Sequence, residues 1–137
     1  MALDLYLQKD ASIPKSLKNN FLSFEDDEGY LGFLYPFFEV IANKTGQLIK
    51  TDDDAFFQGA DLNLFYEMIE QARRALTSKP DVWDEHTGTV FYKGVRKKTE
   101  KIYSTVQKSE LEDILSKLER AVSEAKNKNI GIFFFGD

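Results

Sequence analysis

The most regular alternation of apolar and polar positions lies in the last thirty residues, from Lys108 to Asp137. Apolar side chains recur there at the spacing of a helix that buries one face; they are Leu111, Ile114, Leu115, Leu118, Ala121, Val122 and Ala125. Ser109 and Glu112 have the spacing of a capping box, which predicts the helix start. The polar stretch Lys126–Asn129 predicts the helix end, and the apolar run Ile130–Phe135 predicts a buried strand.

Strict alternation near the N-terminus predicts a second strand. Leu3, Leu5 and Leu7 occupy every other position, as in a strand that buries one face. The segment Phe21–Phe24 is either another short strand or a packed loop, and Gln47–Ile49 is a further candidate for a short strand.

The apolar stretch Tyr30–Lys44 predicts a helix that ends before Gly46, a residue typical of the position after a helix. Pro36 interrupts the stretch, and proline is tolerated in a first turn but not in a helix interior without a kink. We therefore expect regular helix only from Tyr35 or Pro36 to Asn43, with a looser apolar segment before it.

Asp61 is placed to cap the next helix, and Lys79–Pro80 marks its end. One face of this helix is apolar; it consists of Leu64, Phe65, Met68, Ile69, Ala72 and Leu76. Glu70 and Arg74 have the i,i+4 spacing of a favourable ion pair.

Residues 88–107 have the pattern of a β-hairpin that follows a loop at Asp81–Thr87. The residues expected to face each other are Val90, Phe91 and Tyr92 on one strand and Ile102, Tyr103 and Val106 on the other. The connection, Gly94–Lys101, is polar, and the basic part Lys93–Lys101 gives this region a positive charge. Lysines near tyrosines suit nucleic acid, whose bases stack on aromatic rings. A solvated hairpin tip that resists edge-to-edge aggregation is the simpler interpretation, so we do not expect nucleic acid as a partner.

The order of elements is thus β-α-α-β-β-α-β. This order predicts an α+β fold in which about three helices pack on a mostly antiparallel sheet. The 137 residues are expected to form a single domain, 1–137, with enough buried surface to need no covalent staples.

The amino-acid composition limits the kinds of functional site that the chain can form. The chain has no cysteine, which removes disulfides, thiolate metal sites and thiol catalysis. The N-terminus lacks a basic signal-peptide region and no apolar run approaches about 20 residues, so we expect a soluble cytoplasmic protein. No phosphate-binding glycine loop and no nucleophile elbow is present. We therefore predict no catalytic residue and no cofactor.

Two groups of acids are candidates for metal ligands. Asp52–Asp54 offers hard oxygen ligands but lacks the spacing of a calcium loop. The segment Asp81–His86 holds three acids, the single Trp and the single His, and could form a carboxylate/His pocket of a small enzyme or ligand-binding domain. Loops solvated by their own charges are the simpler interpretation of both, so we predict no metal site.

Charge is unevenly distributed along the chain. The net charge is −5; residues 1–87 carry 16 acids and 8 bases, whereas residues 88–137 carry 7 acids and 10 bases. If the two acidic clusters of the first part share a face, they form a patch suited to a basic protein surface. The predicted partner-binding residues are Glu25, Asp26, Asp27, Glu28, Tyr30, Asp52, Asp53 and Asp54.

With these clusters, the chain resembles the small acidic immunity proteins of bacterial contact-dependent inhibition and polymorphic-toxin systems. The resemblance rests on size, acidity, lack of cysteine, the α+β order, the opening Leu3–Tyr6 and the closing Phe135–Asp137. It implies a non-enzymatic inhibitor that binds a cognate toxin, often a nuclease. The alternatives are the small enzyme or ligand-binding domain mentioned above, and a phage or bacterial adaptor protein. The oligomeric state is not predicted.

Overall fold

The computed structural model describes residues 2–16, 19–25, 29–91 and 99–136, with the backbone alone at residues 25, 88–91 and 99–101. Within these ranges the chain forms three α-helices and six strands. In chain order they are β1 (Ala2–Gln8), β2 (Leu22–Glu25), α1 (Gly29–Thr45), β3 (Ala55–Phe57), α2 (Leu62–Thr77), β4 (Val82–Phe91), β5 (Thr99–Gln107), α3 (Lys108–Asn127) and β6 (Gly131–Gly136).

Four strands form an antiparallel sheet in the order β2-β1-β6-β3. β1 pairs along the whole of β6, from Gln8↔Gly131 to Leu3↔Gly136, and β3 pairs with the other edge of β6. The predicted α+β class, with helices on an antiparallel sheet, is confirmed. The predicted order is approximately right, and the structure differs from it in having β2 and β3 as additional strands. Of the two interpretations of Phe21–Phe24, the strand is correct.

All three helices pack on one face of this sheet. Leu3, Leu5 and Phe134 point to that face and are completely or almost completely buried. The helix residues of the same cluster include Leu34, Phe38 and Ile41 of α1, Phe65, Ile69 and Ala72 of α2, and Leu111, Leu115, Leu118 and Val122 of α3. The apolar stripes predicted from the sequence therefore pack against one another in a single core.

α1 is longer than the sequence predicts. It runs without interruption over Gly29–Thr45 with Pro36 inside, so the prediction of a looser segment before Pro36 is wrong. An interior proline costs about 3 kcal/mol through a lost hydrogen bond and a crowded turn. Packing offsets this cost, because Phe33 and Phe38, on either side of the proline, are both buried. Gly46, with φ of +79°, follows the helix as predicted.

The segment Gln47–Ile49 forms no strand, contrary to the prediction. The Gln47 side-chain amide instead bonds both backbone groups of Phe56: Nε2 donates to the Phe56 carbonyl at 2.8 Å, and the Phe56 N–H donates to Oε1 at 2.8 Å. The Gln47 side chain thus pairs the backbone groups at the outer edge of β3, which would otherwise be free to pair with another strand.

Asp61 directly precedes α2, but its side chain makes no capping hydrogen bond. The reason is local: Gly59–Asp61 forms a 3-10 turn, which already gives Asp61 helical backbone angles. The predicted apolar face of α2 is confirmed, and Arg74 Nη2 lies 2.5 Å from Glu70 Oε1.

The polar stretch after α3 ends the helix as predicted, through a Schellman motif. Asn129 has φ of 55°, and its N–H donates to the Lys126 carbonyl at 3.2 Å. The Ile130 N–H donates to the Ala125 carbonyl at 2.9 Å. This turn leads the chain directly into β6.

β4 and β5 form a separate two-stranded antiparallel ribbon. β4 already begins at Val82, so the prediction of a loop at Asp81–Thr87 is wrong. The hairpin is confirmed, but its pairing differs from the prediction; the pairs include Trp83↔Val106, His86↔Tyr103, Gly88↔Ile102, Val90↔Glu100 and Phe91↔Thr99. β5 begins at Thr99, inside the predicted connection Gly94–Lys101, so Val90 and Phe91 pair with earlier residues than predicted. Residues 92–98, which carry most of the basic tip, lie outside the described residues.

Candidate functional site

The two predicted acidic clusters are attached to the same end of the four-stranded sheet. Glu25, the last residue of β2, pairs with Ala2, and Leu3 pairs with Gly136. Asp52–Asp54 immediately precedes β3. Because neighbouring strands run in opposite directions, β2 and β6 end where β1 and β3 begin. Glu25 and the Asp52–Asp54 loop thus lie at opposite edges, three strand spacings or about 14 Å apart.

Contacts with the end of β6 hold the loop Asp52–Asp54. The Gly136 N–H donates to Asp54 Oδ1 at 3.0 Å, and the Asp54 N–H donates to Asp53 Oδ1 at 2.9 Å. Gly136 lies so close to the Asp53 backbone that a side chain there would collide with it. Asp52 lies 3.6 Å from the Lys50 ammonium, and both side chains are exposed. The backbone of the loop is therefore fixed while its carboxylates face water.

Asp26, Asp27 and Glu28 lie outside the described residues, and so does the side chain of Glu25. Their part in binding stays a prediction. Gly29, which follows them, is the first residue of α1, and a Cβ placed on it would lie 2.6 Å from Val106 Cγ2. The start of α1 thus packs tightly against the ribbon.

Tyr30 has an internal structural role, which the prediction of a partner-binding residue did not include. Its hydroxyl accepts a hydrogen bond from the Gln107 N–H at 3.1 Å and donates to Glu110 Oε2. Gln107, not Ser109, is the N-cap of α3, and its own side chain makes no capping hydrogen bond, so the predicted capping box of Ser109 and Glu112 is wrong. In a capping box the N3 glutamate reaches the N-cap N–H itself. Here Glu110 occupies N3 and reaches it through Tyr30.

Replacing Tyr30 with phenylalanine should lower the free energy of unfolding by about 1 kcal/mol, because the bridge between the N-cap and the N3 carboxylate is lost. Urea unfolding followed by circular dichroism measures the change. Tyr103→Phe is the matched control: Tyr103 is 54% exposed, and its loss should stay within about 0.5 kcal/mol. Equal midpoints for the two variants would show that the Tyr30 bridge does not stabilise α3.

Strand formation separates the side chains of the proposed Asp81–His86 pocket. Trp83 points towards α1, where its ring meets the Phe33 ring edge-on with centroids 5.8 Å apart. His86 lies on the opposite face of the ribbon, exposed, beside the ring of Tyr103. Since successive strand residues alternate between faces, these two side chains line no common pocket. The depression at the ribbon base is open and is lined by Asp81, Val82, Gln107, Lys108, Ser109 and Glu112.

Within the described ranges, no group of three His, Asp or Glu side chains is arranged to hold a metal ion. The same part of the chain contains no helix long and apolar enough to cross a bilayer.

The sequence prediction missed Asp4, which also belongs to the acidic end of the sheet. Asp4 Oδ1 accepts a hydrogen bond from Ser23 Oγ at 2.5 Å, and Asp4 is paired with Phe135 across β1 and β6. The alternation of Leu3 and Leu5 already indicated that Asp4 points away from the core. Its neighbours, however, depend on strand order, which alternation does not specify.

Comparison of the chain with models of protein families, with curated proteins and with solved structures finds no match to any of the three.

Proposed function

We propose that this chain is a non-enzymatic protein-binding inhibitor, similar in role to an immunity protein, that neutralises a cognate toxin by binding it. The toxin would present a basic surface, as nuclease domains do towards their substrate. One observation supports the proposal most: Glu25 and the exposed loop Asp52–Asp54 are attached to the same end of one sheet.

The spacing of these two acidic segments suits long-range attraction of a basic partner. About 14 Å across the sheet is less than two screening lengths at physiological salt, and only half a screening length at low salt. The negative charges therefore act together on an approaching cationic surface, and such steering raises association rates by about 10- to 1,000-fold. The rigid attachment of the loop to Gly136 limits the ordering that binding would require.

Reversing the charge at Asp52 and Asp53 should slow association with the partner about tenfold at low salt, and less at high salt. Asp54 is left unchanged because its bond to the Gly136 N–H ties the loop to β6, whereas the bond from the Asp54 N–H to Asp53 Oδ1 lies within the loop. Stopped-flow or surface-plasmon measurements give the rate. The control is Glu39→Lys with Asp113→Lys, which changes the net charge equally at two exposed helix positions. If both variants slow association equally, or if neither variant slows it, the loop is not part of the binding site.

The inhibitory role is tested separately by producing the chain together with the product of its neighbouring gene. We expect the two to co-purify in a fixed ratio, and we expect the chain to abolish the growth defect that the neighbour causes alone. A neighbour that is harmless alone and does not co-purify would contradict the proposed function.

A further inference from the structure

One face of the four-stranded sheet carries no helix in the part of the chain that the structure describes. The buried side chains of α1, α2 and α3 share one cluster with Leu3, Leu5 and Phe134, whereas Phe133 is buried outside that cluster. Phe133 and Phe135 flank Phe134 along β6, so both point to the opposite face. Phe133 is 1% exposed, but Phe135, nearer the strand end, is only half-buried.

A cross-strand row on this face places an acid beside Phe135. β1 and β6 pair Asp4 with Phe135, and β2 pairs Ser23 with Asp4. Directly opposed residues have Cβ atoms about 5 Å apart. The Ser23 hydroxyl, 2.5 Å from Asp4 Oδ1, fixes the orientation of the carboxylate.

A second acid lies on the chain segment that flanks β6 on its other side. Ala55 pairs with Phe134, so the preceding residue, Asp54, reaches the level of Phe135. The hydrogen bond from the Gly136 N–H to Asp54 Oδ1 shows how closely the carboxylate approaches β6. In the register of the sheet, Phe135 therefore lies at the level of Asp4 on one side and of Asp54 on the other, on three adjacent chain segments.

We propose that this helix-free face receives an arginine side chain of a basic protein partner, with Phe135 as the platform and Asp4 and Asp54 as the acceptors. A planar guanidinium stacks on an aromatic face and donates N–H groups to carboxylates in its plane. An ionised carboxylate has about four acceptor sites, so each acid can accept further donors beside its internal bond. Charge complementarity favours a cationic partner over a second copy of this chain, whose net charge is −5. This inference rests on the proposed function and specifies which chemistry its partner presents.

The probe is the peptide acetyl-Gly-Arg-Gly-Arg-Gly-amide, titrated into the ¹⁵N-labelled full chain at low salt. We expect saturable shifts of the Asp4, Asp54, Phe135 and Gly136 amides, with a dissociation constant on the order of 1 mM. The lysine peptide should bind more weakly and the citrulline peptide should not bind. Shifts confined to other surfaces, no saturation for arginine, or a concentration-dependent dimer that buries this face would overturn the proposal.

Neutral isosteric variants test the acids without removing their structural hydrogen bonds. Asp4→Asn with Asp54→Asn keeps an acceptor for Ser23 and for the Gly136 N–H, and should weaken peptide binding about fivefold. Phe135→Leu keeps an apolar side chain and should weaken it about threefold through loss of the ring. Glu39→Gln with Asp113→Asn is the charge-matched control and should leave binding unchanged. Equal weakening in the control would show non-specific attraction and contradict the site.

The two proposals fail independently. If the chain neutralises its toxin and the Asp4→Asn, Asp54→Asn variant binds that toxin as tightly as the unaltered chain, the arginine site is wrong and the inhibitor function stands. If the peptide binds as described but no neighbouring toxin is neutralised, the inhibitor function is wrong and the arginine site stands.

Discussion

Replacing Phe134 with alanine should lower the free energy of unfolding by about 3–5 kcal/mol, the largest effect we expect from a single substitution. Phe134 is 1% exposed and lies where three other rings meet. Its centroid is 6.3 Å from that of Phe38, 6.1 Å from that of Phe57 and 6.0 Å from that of Phe65. The substitution thus leaves a cavity among α1, α2, β3 and β6 that no single element can close.

Urea unfolding measures this loss, and Tyr35→Ala provides an aromatic-to-alanine control on a 41% exposed side chain. The free energy of unfolding of this control should fall by less than about 1 kcal/mol, since the substitution removes little buried apolar area. A small domain is stable by only about 5–15 kcal/mol, so Phe134→Ala could leave a substantial unfolded population at 37 °C. A loss no larger than that of Tyr35→Ala would contradict the assignment of Phe134 to the centre of the core.

Gly131→Ala should destabilise the protein by about 1–3 kcal/mol, the second largest effect, because the added methyl group has no space. A Cβ at this position would lie 2.5 Å from Phe56 Cζ and 2.6 Å from the Phe57 carbonyl oxygen. Phe56 is half-buried, and its ring can swing outward. The Phe57 carbonyl belongs to the backbone of β3 and can move only if β3 shifts along β6.

Gly32→Ala is the matched control and should have the opposite sign. A Cβ on Gly32 would lie 3.9 Å from its nearest neighbour, the His86 carbonyl oxygen, which is an ordinary contact. Alanine is a better helix former than glycine by about 1 kcal/mol, so the midpoint of unfolding should rise. Adding Phe56→Ala to Gly131→Ala should recover only part of the loss, since the carbonyl remains. A neutral Gly131→Ala would show that β3 is not held against β6.

The acidic site illustrates what local patterns leave open. The sequence identified Asp52–Asp54 and the segment after Phe24 as charged and solvated, but the two are separated by α1 along the chain. Their attachment to one sheet end depends on β6 entering between β1 and β3. Tyr30 illustrates the converse: an aromatic residue beside an acidic cluster suggested a contact residue. Its hydroxyl instead completes the cap of a helix that begins almost eighty residues later in the chain.

The sequence by itself determined the helical stripe of α3, the alternation of β1, the hairpin and the α+β class. These follow from local periodicity, because a helix or strand with one buried face must repeat its apolar residues at a fixed spacing. Only the tertiary structure decided which face each of Phe133, Phe134 and Phe135 occupies, that Pro36 lies inside a helix, and that Gln47 caps β3. Each depends on partners distant in sequence, and long-range packing and strand pairing outweigh local preference there.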